Sequence, residues 1–315
     1  MIDRNDISLS QVLSTLTAIG IPFRLVGPER NIRKVCSLLR KEPNGLYYFT
    51  GNDPAMLSDL KDSVVVCGDI VSRATDGYSC IAVEADPQLV FYRLCAQLFD
   101  TRPSRGVHST AQVHPEAVIG TDVRIGPYSI IGRCRIGDGS VIHSHVVIMD
   151  GCWVGERVTV EPNCCLGAAG AVWVWDEQGQ RLILPQVGGV RIEDDVILCS
   201  DVTVVRGLFN EETTIGRGTV IAPGSKIGHS AVLGEECHLA NNVSIAGSAI
   251  IGARSFLGSG SSVRSHAKLA PGTIVGSGAA VVQDVVEPST TVAGVPAVPL
   301  PQKSGRKGVP KPFKS

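Results

Sequence analysis

The sequence predicts a parallel β-solenoid of hexapeptide repeats behind a small N-terminal α+β domain. Three observations carry that prediction. Aliphatic residues recur every six positions through about two-thirds of the chain, glycine is abundant while aromatic rings are scarce, and the first hundred residues ignore the six-residue ruler. Glycine supplies 35 of 315 residues, above its ordinary share of ~7%, whereas Phe, Tyr and Trp together make up 5% of a chain that is 43% hydrophobic. A core so apolar and so poor in rings is built from Val, Ile, Leu and Ala, which suits many short strands punctuated by turns.

From the N-terminus, Ser8 to Ile19 reads as a helix behind a serine cap, because a Ser side chain accepts an otherwise orphaned N–H of the first turn. Leu46–Thr50, Val64–Cys67 and Cys80–Val83 read as strands, and Asp86–Phe99 as a second helix. Residues 1–102 therefore form one α+β domain, joined through Asp100–Arg105 to a solenoid over 103–297. The ruler runs through Val113, Ile119, Ile125 and Ile131, resumes from Ile136 to Leu166, and returns at Ile192, Leu198 and Val204. From Ile215 to Val281 it keeps strict six-residue spacing. Four places after each aliphatic the residue is usually small or β-branched, as at Ser129, Cys152, Cys164, Ser225, Ala231 and Cys237. Repeats of this kind build a β-helix with inward, stacked aliphatics, three hexapeptides to a coil.

Two insertions break the ruler. Residues 167–190 carry Trp173 and Trp175, and residues 205–214 lengthen one coil. Loops leaving a solenoid commonly bind ligands; the alternative is that the two tryptophans staple the long loop down. The terminal stretch 298–315 holds Lys303, Arg306, Lys307, Lys311 and Lys314 with no acid, and reads as a solvated, disordered tail. Attraction of an acidic carrier protein or a phosphate is the other reading of that charge.

Net charge is −1, so the basic excess of a nucleic-acid coat is missing. No apolar run reaches the ~18 residues of a membrane span, and the polar start MIDRNDISLS lacks a signal-peptide layout. A cytoplasmic location is expected. The ten cysteines show no C-x-x-C pair, and Cys152, Cys164 and Cys237 fall in the small-residue slot, which favours packing over redox or zinc chemistry.

Seven histidines stand at 108, 114, 143, 145, 229, 238 and 266. His143, His145 and His238 read as ordinary surface residues of a solenoid. His229 follows Ile227 by two places and His266 follows Val263 by three, so both leave the core ruler. Their 37-residue separation is two coils plus one residue, which puts them ~10 Å apart on one face at ~4.8 Å per layer. Gly247 lies 18 residues beyond His229, hence one layer above it. An imidazole beneath an open glycine N–H suits acyl transfer: the ring takes a proton near neutral pH and the N–H holds an oxyanion.

At this point the chain resembles a known family, the UDP-3-O-(3-hydroxyacyl)glucosamine N-acyltransferases of lipid A synthesis, up to about residue 300. The shared features are the domain order, the loop ending Leu184-Pro185-Gln186-Val187-Gly188, the Arg206-Gly207 of the lengthened coil, and Lys226-Ile227-Gly228-His229. The resemblance implies a left-handed β-helix, a homotrimer with sites between neighbouring solenoids, His229 as general base, Gly247 as oxyanion donor and His266 as the second active-site histidine. It also implies uracil reading by Phe49 and Asn52; the third position of that motif is Ala55, so one stacking face is lost or comes from Tyr47 or Tyr48. The family's aspartate seven places before the histidine corresponds to Ala222, which leaves Glu211 as the candidate to orient His229. Asn241 and Asn242 resemble instead the sibling O-acyltransferase, and imply acceptor contacts. No resident cofactor or metal is expected, because an acyl-carrier-protein or CoA thioester is already activated. The γ-class carbonic anhydrases share the helix, but their close histidine pair is missing here. Gly294-Val295-Pro296-Ala297 resembles the closing turn of acetyl-CoA-dependent hexapeptide transferases, which keeps an N-acetyltransferase of a nucleotide dideoxyamino sugar as an alternative. A non-catalytic binding scaffold is the third reading.

Overall fold

The computed structural model describes residues 7–69 and 75–299. The chain divides into two compact units, Met1–Thr101 and Arg102–Ser315.

In the first unit α1 (Leu9–Ala18) starts at a capping box: Gln11 N donates to Ser8 Oγ, and the Gln11 side chain accepts from the Ser8 N–H. β3 (Gly45–Phe49), β4 (Ser63–Gly68) and β5 (Tyr78–Val83) run parallel, and α2 (Pro87–Leu98) follows with Asp86 as its cap. Two short strands that the sequence had not signalled complete the sheet. They are β1 (Arg24–Val26), antiparallel to β5, and β2 (Lys34–Val35), giving the order β1-β5-β4-β3-β2. Alternation decides the two faces. Leu46, Val64, Val66, Ile81 and Val83 pack under α1 and α2, while Tyr47, Phe49, Val65, Cys67 and Cys80 pack on the other side with Leu57 and Leu60.

The second unit is the solenoid. Strands of two to four residues stack in parallel into three sheets. The first runs through Ile131, Ile227, Ile245 and Val263, the second through Ile136, Leu233, Ile251 and Leu269, the third through Ile142, Leu239, Leu257 and Val275. The coils wind as a left-handed β-helix. The ruler residues from Ile125 onward are buried, and the small slot fills the space beneath them with Val146, Cys152, Cys164, Ala231, Cys237 and Val243. The strand-register step is 18 residues from Ile227 to Ile245 to Val263, 17 between Ile119 and Ile136, and longer where the insertions enter, 38 between Val154 and Ile192 and 23 between Ile192 and Ile215. None of the ten cysteines is in a disulfide. Burial pushes the thiols of Cys152 and Cys164 up to about 12, so these side chains act as packing rather than as thiolate nucleophiles.

Two boundaries shift from the sequence expectation. Val298 and Pro299 pair antiparallel with Ala293 and Val292, so the solenoid extends into the expected tail; residues 300–315 lie outside the described region. Within 167–190 the chain folds as a hairpin, Trp173–Trp175 against Arg181–Ile183. The tryptophans do not staple it. Trp173 and Trp175 are 42% and 59% exposed, touching each other edge to face with Arg181 over both rings. Among the described residues no helix is long and apolar enough to cross a membrane.

Candidate active site

One corner of the solenoid, between the first and second sheets, collects the predicted chemistry. There the strand Lys226–Ile227 ends, Gly228 and His229 turn outward, and Ser230 adopts the left-handed conformation that bends the chain into the next face. The next coils repeat the turn with Ser248 and His266, whose φ values of 58° and 61° match the 57° of Ser230. His266 therefore stands in the column of Ser230 and Ser248, one residue further round than His229 and Gly247. This is what two coils plus one residue means in space. The layers are tied by Ser248 N to His229 O (2.8 Å) and His266 N to Gly247 O (3.1 Å); Ser265 Oγ also donates to Gly247 O at 2.6 Å.

His229 and Gly247 are in direct contact. A Cβ at position 247 would lie 2.8 Å from His229 Cδ2 and closer still to Cε1 and Nε2, so the imidazole takes the space of the missing side chain. The Gly247 N–H has no acceptor among the described residues. His229 Nδ1 is buried without a partner, and Nε2 lies on the side of the ring that meets Gly247. Glu211 does not orient this ring: its Oε2 accepts from Ser230 Oγ at 2.6 Å. The reason is local. The lengthened coil is stitched from Val187 N to Leu208 O (2.9 Å), from Gly189 N to Glu211 O (3.1 Å), and upward from Leu208 N to Ser230 Oγ (3.3 Å). That directs the carboxylate to Ser230 rather than to its neighbour.

Below His229 the same corner opens into a cleft of about 450 Å³, with Arg133, Asp150, Arg206 and Glu211 among its charged lining. Phe209 (54% exposed) and Val187 form apolar parts of its wall. Arg206 is fixed: Nε donates to Gly167 O and Nη2 to Asp150 O, both at 2.7 Å. The chemistry available is a proton acceptor, a free N–H donor and a walled groove, all at one edge.

The N-terminal unit carries a second cavity, about 440 Å³, at the carboxyl ends of β3, β4 and β5. Such crevices are where open α/β sheets take ligands. Phe49 and Asn52 both line it, with Asp69, Glu84 and Asp86. Phe49 is only 4% exposed, its ring closed over by Gly51. Neither tyrosine supplies the missing stacking face. Tyr47 is buried, its hydroxyl bonded to Glu42 O at 2.7 Å, and Tyr48 packs on Phe91 and Tyr92 at 5.0 and 6.0 Å.

Asn241 and Asn242 stand exposed at a different corner, between the third and first sheets, where Asn242 lies over Gly224. A single solenoid does not bring them to His229. Sequence reasoning missed Ser230, Ser265 and the true partner of Glu211. Ser265 was findable, because it is 18 residues from Gly247.

Fold and repeat resemble those of the hexapeptide-repeat acyltransferases. The model of the bacterial transferase hexapeptide (six repeats) matches residues 133–168 and 212–247. The chain is 27% identical over 246 residues to the UDP-3-O-acylglucosamine N-acyltransferase of Coxiella burnetii (strain Dugway 5J108-111), covering 71% of this chain and 70% of that protein. It is 33% identical over 139 residues to the acyl-[acyl-carrier-protein]–UDP-N-acetylglucosamine O-acyltransferase of Saccharophagus degradans, covering 43% and 51%. Among solved structures, the UDP-N-acetylglucosamine O-acyltransferase of Moraxella catarrhalis superposes with a TM-score of 0.56 at 27% identity, covering 62% of this chain and 73% of that one. The chain is similar to the UDP-3-O-acylglucosamine N-acyltransferases over much of its length.

Proposed function

We propose that the protein transfers an acyl group from the phosphopantetheine thioester of an acyl carrier protein to the amine of UDP-3-O-acylglucosamine, in lipid A biosynthesis, as a cytoplasmic homotrimer. The observation that carries this reading is the contact between His229 and Gly247, on the solenoid corner that also carries the cleft. The amine nitrogen attacks the thioester carbonyl carbon while His229 Nε2 takes its proton, a contribution of ~10²–10⁴ in rate. The Gly247 N–H receives the developing oxyanion, worth on the order of 10²–10³. The C–S bond then breaks, the thiolate recovers the proton from His229, and amide and free thiol leave. His266, one layer above Gly247, holds the donor, and Phe49 with Asn52 holds the base. No metal step enters, since the thioester needs no further activation.

Two features support the trimer. The outward positions of the third sheet run Ile197, Val220, His238, Phe256 and Ile274, apolar but for one imidazole, a face that a second copy would cover. Asn241 and Asn242 lie at the other edge of the first sheet, so they meet an acceptor only across a subunit boundary.

The test offers UDP-3-O-acylglucosamine and dTDP-linked amino sugars in turn, each with acyl-carrier-protein and CoA thioesters. Turnover of the UDP substrate with an acyl-carrier-protein donor is expected. Turnover only with acetyl-CoA and a dTDP sugar would replace this reading with an N-acetyltransferase, and none with any pair would leave a scaffold.

A further inference from the structure

We infer that Glu211 is the residue that selects the amine of the acceptor, docking it as an ammonium beside His229; this rests on the acyltransferase reading above. Arg206, Glu212, Asp150 and Arg133 also line the lower cleft, each with partners of its own. Arg206 serves the Gly167 and Asp150 carbonyls. Glu212 pairs with Arg191 at 2.7 Å, Asp150 Oδ1 accepts from the Arg133 N–H at 2.7 Å, and the Arg133 guanidinium faces Glu116 at 3.6 Å. Glu211 forms no ion pair among the described residues; its carboxylate accepts from one neutral group, Ser230 Oγ.

The backbone that carries Glu211 is also held in place. Its own carbonyl takes the Gly189 N–H, and Gly188 and Gly207 approach that carbonyl so closely that a Cβ at either position would collide with it. Ser230, to which Glu211 is bonded, is the residue next to His229 in the chain. A carboxylate without an ion pair, hydrogen-bonded to the residue next to His229, is complementary to a primary ammonium. It opposes an acceptor whose equivalent group is a neutral hydroxyl or an acylated nitrogen. An amine with electron-withdrawing neighbours carries a proton below a pH of about 8, and a charge-assisted hydrogen bond is roughly twice as strong as a neutral one. Glu211 thus receives the acceptor in its protonated form, the ammonium sheds one proton to solvent, and His229 takes the second as the N–C bond forms.

The experiment measures equilibrium binding to the full-length protein, without donor, of UDP-3-O-acylglucosamine and of its analogue with a hydroxyl in place of the amine. In Glu211→Gln the amine acceptor is expected to bind about 10- to 100-fold more weakly, from the loss of one charged hydrogen bond, while the hydroxyl analogue changes less than about 3-fold. Glu212→Gln, whose carboxylate is committed to Arg191, keeps the native preference. Equal losses for both ligands, no loss for either, the same shift in Glu212→Gln, or a changed oligomeric state on light scattering in Glu211→Gln would each overturn the assignment. Turnover by the native protein is measured alongside. If it is absent the acyltransferase reading itself falls, whereas native turnover with an unaltered Glu211→Gln removes only the role of Glu211.

Discussion

The imidazole of His229 fills the place that a side chain at position 247 would occupy, so a proton acceptor on one coil and a bare backbone amide on the next share one van der Waals contact. Neither residue can be enlarged without displacing the other.

His229→Ala is expected to lower kcat by ~10²–10⁴, with the melting temperature unchanged because the ring faces outward from the ruler. Steady-state turnover together with thermal melting checks both halves. Full activity in this variant would rule His229 out as the base.

Gly247→Ala introduces a Cβ into the imidazole and displaces the ring and the N–H together. A loss of at least ~10² in kcat is expected, from the oxyanion donor alone. In the His229→Ala background the same change has room, so the double-mutant cycle shows strong non-additivity. Additive losses would mean that the two residues act separately.

The stacked ruler supplies the stability of the solenoid. Ile245→Ala, at a buried rung between Ile227 and Val263, is expected to cost ~2–5 kcal/mol in denaturant unfolding. Ile130→Ala, on the outer face and 48% exposed, stays within about 0.5 kcal/mol.

Phe49 and Asn52 separate structure from binding in the N-terminal crevice. Phe49→Ala removes a ring that is almost wholly buried, and a loss of ~3–5 kcal/mol is expected for that unit. Asn52→Ala, exposed on the rim, raises KM for the nucleotide acceptor and leaves the melting curve alone.

His238 stacks on Phe256 at 5.4 Å, and burial holds its pKa below the ordinary 6.5. The folded state disfavours the imidazolium, so the stability this site contributes is full above pH 6.5 and is lost as pH falls through the lowered pKa. Denaturant unfolding between pH 7 and about 5 should show that slope, and His238→Gln should flatten it. A slope unchanged by the substitution would assign it to other groups.

The solenoid was legible because its information is periodic. A strand layer of ~4.8 Å and an 18-residue coil convert spacing directly into stacking, so Ile227, Ile245 and Val263 could be placed on one column, and His229 beneath Gly247, by counting. The two helices of the first unit were legible from their caps, Ser8 and Asp86. β1 and β2 were not, since strands of three and two residues carry no period to read.

What the tertiary structure alone decided is the choice among competing partners. Glu211 was the sequence candidate to orient His229, and the stitching of the lengthened coil to Val187, Gly189 and Ser230 aims it at the serine instead. Tyr47 and Tyr48 were both open candidates for the crevice until the sheet turned one into the core and the other onto α2. Trp173 and Trp175 could have closed a loop, yet the hairpin pairs its own backbone and leaves their rings outside. Position along a repeat is a one-dimensional quantity that a sequence states outright. A hydrogen-bond partner is settled by which groups from separate coils reach the same point, and that contest exists only in three dimensions.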